Sequence, residues 1–231
     1  VDYKITMTWT HATVTYAFGA LAKDGSQVLV SGTVKNTEQA IRDFQKIADV
    51  ARGYESLAWD SSNENVLADI ISFGEKIQSM LGKGEGGLFA DTIMLKFFKD
   101  SAGTVSFGSF TLSAKTKEVV FRDVMIRGAG DSRTEMNGNA FGFKTTVENL
   151  AKIDTAISKF DVSTFAGQEG ALLEALPTLG NLTETTLAFY AGDTLQGIYT
   201  FLRNQEGQLV GSFQKVRVGN ASGFVDLQGT F

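Results

Sequence analysis

The chain has 231 residues, of which 43 % are hydrophobic and 20 % charged, and a formal net charge of −5. This balance is that of a globular domain and excludes the disordered class. It also excludes duplex nucleic-acid binding, which needs clustered Lys and Arg to neutralise phosphates. Cysteine is absent, so disulfides, thiolate metal sites and cysteine nucleophiles are excluded as well.

Phenylalanine dominates the aromatic set, with 18 Phe against 5 Tyr and 2 Trp. Phe brings apolar area without a polar atom to satisfy, which suits a dry core. Lys115, Lys117 and Arg122 are interrupted by Glu118 and read as a solvated strand face. No apolar stretch approaches the roughly 20 residues that span a bilayer, so no membrane insertion is expected. The opening Val1-Asp2-Tyr3-Lys4 has no basic start followed by an apolar run, and without an initial methionine a processed start is expected.

In chain order, Tyr3, Ile5, Met7 and Trp9 alternate with Lys4, Thr6, Thr8 and Thr10, and the alternation continues through Val14, Tyr16 and Phe18. Period two predicts one half-buried strand over 3–18. Lys23-Asp24-Gly25-Ser26 is a hairpin turn, and Val28, Val30 and Val34 return as a strand over 27–35. The period then changes. Asn36 or Thr37 caps a helix carrying Ile41, Phe44, Ile47, Ala48 and Ala51, which Gly53 ends. A second helix starts near Asn63 and carries Val66, Leu67, Ile70, Ile77 and Leu81, with Gly74 weakening it by about 1 kcal/mol of propensity.

Residues 91–127 return to strand character. The stretch 128–143 is rich in Gly and Asn and reads as a long loop. A third helix over 145–160 carries a capping box, Thr145 with Glu148. A short helix with Leu172, Leu173 and Leu176 ends before Pro177, the sole proline. Residues 184–231 are strands.

Two segments resemble each other. Phe97-Phe98-Lys99-Asp100, Gly103, Gly108-Ser109-Phe110, Phe121 and Asp123 recur as Phe201-Leu202-Arg203-Asn204, Gly207, Gly211-Ser212-Phe213, Phe224 and Asp226. A fainter copy lies at 21–34. Each is an apolar strand, an Asx residue that bonds its own backbone, and a Gly that supplies positive φ. A lone hairpin is marginal in water, so such copies must pair or pack on helices. The expected fold is α+β: a single domain over 1–231 with antiparallel sheets of repeated hairpin or meander units near 3–35, 91–128 and 184–231. Three or four helices, inserted over 37–82 and 145–176, pack on one side.

Chemical motifs are few. Gly82-x-Gly84-x-x-Gly87 has the letters of a dinucleotide fingerprint, but it follows a helix and precedes a strand, the reverse of what phosphate binding needs. His11 is the lone histidine, so a multi-histidine metal site is excluded within one chain. As a single haem ligand, His11 would act beside Tyr16 or Tyr3. Asp131, Glu135, Asn137 and Asn139 among glycines offer oxygen ligands on a flexible loop, a set that calcium favours, although the spacing matches no EF-hand. No other cofactor is indicated.

The favoured reading is a non-catalytic structural or interaction protein. It would be a self-assembling subunit of the virion-tail, surface-layer or extracellular-appendage type, of bacterial or viral origin, whose partner is a second copy or another protein. Two alternatives stand beside it. One is an extracellular carrier with an apolar ligand or haem in a sheet–helix cavity. The other is a hydrolase using two of the 26 Asp and Glu residues.

Overall fold

A computed structural model describes residues 4–59, 64–103, 106–127, 130–158, 182–220 and 223–230. The strands are β1 (Lys4–Trp9), β2 (Val14–Leu21), β3 (Gln27–Val34), β4 (Thr92–Phe98), β5 (Ser106–Ser113), β6 (Glu118–Arg127), β7 (Ser132–Phe141), β8 (Leu182–Ala191), β9 (Thr194–Arg203), β10 (Leu209–Asn220) and β11 (Gly223–Thr230). They form one eleven-stranded meander in which every strand neighbours the next in sequence. The described helices are α1 (Thr37–Ala51), α2 (Glu64–Met80) and α3 (Phe143–Ile157). The short helix expected at 172–176 lies outside the described residues. The chain divides into two compact units, 1–120 with 141–147, and 121–140 with 148–231.

In the first unit the core is the inward face of β2–β5. Val14, Tyr16, Phe18, Val28, Val30, Leu95, Phe97 and Phe110 are all buried. Helix α1 covers β2, its Phe44 meeting Phe18 edge to face at 4.7 Å. Full burial of a side chain such as Phe18 stabilises by about 1.5–3 kcal/mol. Asn36 starts α1 because its Oδ1 accepts the Gln39 N–H at 2.9 Å, while Gln39 Oε1 accepts the Lys35 N–H at 3.0 Å. Two otherwise orphaned donors at the helix start are thereby satisfied. In α2, Gly74 is a packing requirement more than a weakness. A Cβ there would lie 2.0 Å from the Phe143 ring, and Phe143 in turn packs edge to face on Phe110 at 5.5 Å.

The second unit follows the same local logic. Phe189, Tyr199 and Phe213 form a ladder across β8–β10, with ring centroids 5.7 and 6.3 Å apart. Such cross-strand aromatic pairs are the unit of sheet stabilisation. Thr186 stands opposite Thr200, with the two hydroxyls 3.3 Å apart.

The hairpin copies seen in the sequence share one turn. The N–H of Gly25, Gly103 and Gly207 donates to the carbonyl three residues back, at 3.2, 3.2 and 3.0 Å. All three glycines have positive φ, at 86°, 69° and 80°. Such a turn followed by a left-handed glycine fits the right-handed twist of the flanking strands. A second likeness was not visible in the sequence. Tyr16 lies over Gly32, and Phe121 lies over Gly138, so closely that a Cβ at either glycine would come within 2.6 Å of the ring substituent or ring. The helices that follow bury a polar residue at matching places, Asp43 in α1 and Asn149 in α3.

Three expectations are corrected. The strand expected over 3–18 is two over the described residues, β1 and β2: Thr10 N donates to the Thr13 carbonyl at 2.9 Å, and Thr10 Oγ1 accepts from Thr13 N at 3.2 Å. The short hydroxyl side chains close a turn that the alternation hides. The stretch 128–143 is not a long loop, because 132–141 is strand β7, alternately buried and half-buried. Ser132, Thr134, Met136, Gly138 and Ala140 face inward, and Gly138 is small because Phe121 and the Glu184 carbonyl crowd it. Helix α3 begins at Phe143, so Thr145 sits inside its first turn instead of capping it.

Candidate functional site

One exposed apolar feature belongs to the second unit. Strand β10 pairs with β9 over Leu209–Gln214. At Lys215 the backbone turns left-handed, with φ 53°, and the register with β11 shifts between Phe213 and Val216. A bulge of this kind bends the strand and raises its local twist. Beyond it, β10 pairs only with β11, from Val216 opposite Leu227 to Asn220 opposite Gly223. The ladder there is a two-stranded ribbon, with Val216 still packed beside Gly197 of β9. Val225 is 61 % and Leu227 45 % exposed on it. Asp226, its one charged residue on β11, meets Arg217 at 3.5 Å.

Strand β11 is a sheet edge, and β1 is the other. On β1, Ile5 and Trp9 are exposed, and the Trp9 indole N–H donates to Thr37 Oγ1 at 3.0 Å. An edge presents a row of unpaired N–H and C=O groups that template another strand.

The first unit holds an open cleft of about 650 Å³ where β3 and β4 part beyond the Gly32–Ile93 pair. Thr15, Ser31, Thr33, Thr92 and Thr111 line it, with Lys35 and Asp91 at its charged end. Thr15 and Thr33 are bonded to each other at 3.1 Å. The lining is rich in hydroxyls, and Phe89 and Met94 are its larger apolar members.

Beneath β2 lies the one buried carboxylate among the described residues. Asp43 Oδ1 accepts the Phe89 N–H at 2.7 Å, and Oδ2 accepts the Ala90 N–H and the Tyr16 hydroxyl, each at 3.0 Å. Burial pushes the Asp43 carboxyl above its ordinary value, and the three hydrogen bonds offset only part of that push. Burial and the neighbouring carboxylate raise the Tyr16 phenol far above its usual range. This pair pins α1, β2 and the 89–90 segment together.

The residues singled out in the sequence are not brought to one place. His11 is exposed in the β1–β2 turn, whereas Tyr16 is buried and its hydroxyl engages Asp43. Asp131 lies in the turn before β7, and its carbonyl accepts the Gly192 N–H at 3.0 Å. Glu135, Asn137 and Asn139 lie at alternate positions of β7, on its half-buried face. Asn137 Oδ1 already accepts the Asp123 N–H at 2.9 Å. A row at about 7 Å spacing along a strand does not converge as a cation loop does. Among the described residues, no three His, Asp or Glu side chains are grouped to hold a metal ion, and no helix is long and apolar enough to cross a membrane. The glycines at 82, 84 and 87 form the α2-to-β4 connection, closed by Leu88 N to the Met80 carbonyl at 2.7 Å.

The ribbon was missed in the sequence because its signal is negative. Strand 223–230 has one charge, no Lys and no Pro, which are the devices that ordinarily blunt an edge. No family model matches the chain. No curated protein and no solved structure matches it either.

Proposed function

We propose that this chain is a non-catalytic, self-assembling subunit whose copies join through exposed sheet edges, of the kind that builds virion tails, surface layers or extracellular appendages. The β10–β11 ribbon carries the reading. A two-stranded ribbon alone is marginal in water, yet beyond Gln214 this one has no ladder pairing with β9 and holds Val225 and Leu227 out to solvent. Burying these side chains and the edge backbone against another strand supplies what the ribbon lacks. The β1 edge, with Ile5 and Trp9 exposed, supports the same reading. Light scattering after size exclusion, across a concentration series, tests it: mass rising above one chain supports assembly, and one chain mass throughout rejects it.

A second reading is ligand binding in the β3–β4 cleft. Its hydroxyl-rich lining favours a polar ligand over the apolar ligand or haem of a carrier. The hydrolase reading is weaker, because the raised carboxyl of Asp43 spends both oxygens on protein donors.

A further inference from the structure

We infer that the occupant of the β11 edge is β11 of a second copy, joined antiparallel about a two-fold axis normal to the sheet and centred on Leu227. This rests on the self-assembly reading and adds its symmetry and register. A two-fold normal to the sheet keeps each residue on its own face, so a residue pairs only with one of the same parity, and the axis passes through a residue. That leaves few registers. Centring on Asp226 sets two carboxylates opposite one another, and like charges directly opposite are destabilising. Centring on Val225 shortens the paired stretch to 223–227. Centring on Leu227 pairs 224–230 of the two copies. It places Asp226 opposite the Gln228 amide and Val225 opposite Gly229.

The same register continues the apolar row. Val216 stands opposite Leu227 within one copy. Leu227 then stands opposite its counterpart, so Val216 and Leu227 of each copy form a row of four side chains across four strands. Both residues of each copy lie on one face of the ribbon, and Leu227 is 45 % exposed before pairing. Charge complementarity points the same way. Asp226 retains Arg217 within its own copy and gains an amide donor across the axis.

The test exploits the absence of cysteine from the chain. Leu227→Cys carries a single thiol, which meets its own counterpart only in the register proposed. Under mild oxidation it should form covalent dimer on the order of tenfold faster than Ser101→Cys, an exposed control in the β4–β5 turn away from both sheet edges, because pairing raises the effective thiol concentration. Asp226→Cys should not exceed that control. Leu227→Lys should lower the light-scattering mass towards one chain with an unchanged far-ultraviolet spectrum. If the wild type assembles but Leu227→Cys cross-links no faster than Ser101→Cys, this contact is wrong while self-assembly stands. If Asp226→Cys cross-links fastest, the register is wrong. If the wild type stays at one chain mass at every concentration, both the contact and the assembly reading fail.

Discussion

The Tyr16 hydroxyl donates to Asp43 Oδ2 at 3.0 Å, with Tyr16 1 % and Asp43 0 % exposed. A carboxylate so placed is held by three donors from two parts of the chain, Tyr16 and the 89–90 segment. An amide in its place satisfies only two of the three, since its NH2 group must face an N–H donor in either orientation. Asp43→Asn should therefore cost about 1–3 kcal/mol, the price of one unmet buried donor. Urea unfolding of the two proteins at one pH measures it.

The same pair fixes a pH dependence. The folded pKa of Asp43 lies above its unfolded value of 3.8. Its contribution is therefore complete below that value and is lost as pH rises through the folded pKa. Asp24 runs the other way. Partial burial pushes its carboxyl up, but hydrogen bonds from Ser26 and Ser56 outweigh this and hold the pKa low. Its contribution is present above 3.8 and lost as pH falls through the folded pKa. The stability of the wild type relative to Asp43→Asn should thus decline as pH rises from below 3.8, whereas its stability relative to Asp24→Asn should grow. Denaturant midpoints taken from pH 3 upward, about a unit apart, check both signs.

Helix propensity and packing make opposite forecasts at Gly74. Propensity favours Gly74→Ala by about 1 kcal/mol. The Phe143 ring, 2.0 Å from where the new methyl would stand, forces a shift that costs about 1–3 kcal/mol. Packing wins, so Gly74→Ala should lower the melting temperature. Gly74→Ala combined with Phe143→Leu should recover part of the loss relative to Phe143→Leu alone, and thermal unfolding of the three variants measures the coupling.

The two aromatic-covered glycines should behave alike. Gly32→Ala meets Tyr16 at 2.6 Å, and Gly138→Ala meets the Glu184 carbonyl at 2.2 Å and Phe121 at 2.6 Å. Both should destabilise, Gly138→Ala the more, because a backbone carbonyl cannot rotate away as a side chain can. Denaturant midpoints of the two variants, set against Gly86→Ala as a variant with open space around it and no positive φ, rank the effects.

Much of the architecture was legible in the residues. Periodicity located α1 and α2, because their apolar spacing is regular and Asn36 is a strong cap. Asx-Gly pairs marked the β2–β3 and β9–β10 turns, whose chemistry is local. Strand β7 was not legible. Its inward positions are Ser132, Thr134, Met136, Gly138 and Ala140, of which Thr134 alone has strong strand preference, and Gly138 is packed by Phe121 and β8. The turn at 10–13 was hidden because threonine suits strands and turns alike. The candidate site was the least legible, since the end of the β9–β10 ladder depends on a bulge at Lys215 that no residue type announces.

Light scattering of the wild type beside Val225→Lys with Leu227→Lys tests the central claim most directly. The account predicts a wild-type mass that rises with concentration to at least two chains of 24.9 kDa and a double variant that stays at one. A wild type of one chain mass at every concentration, indistinguishable from the double variant, would contradict it.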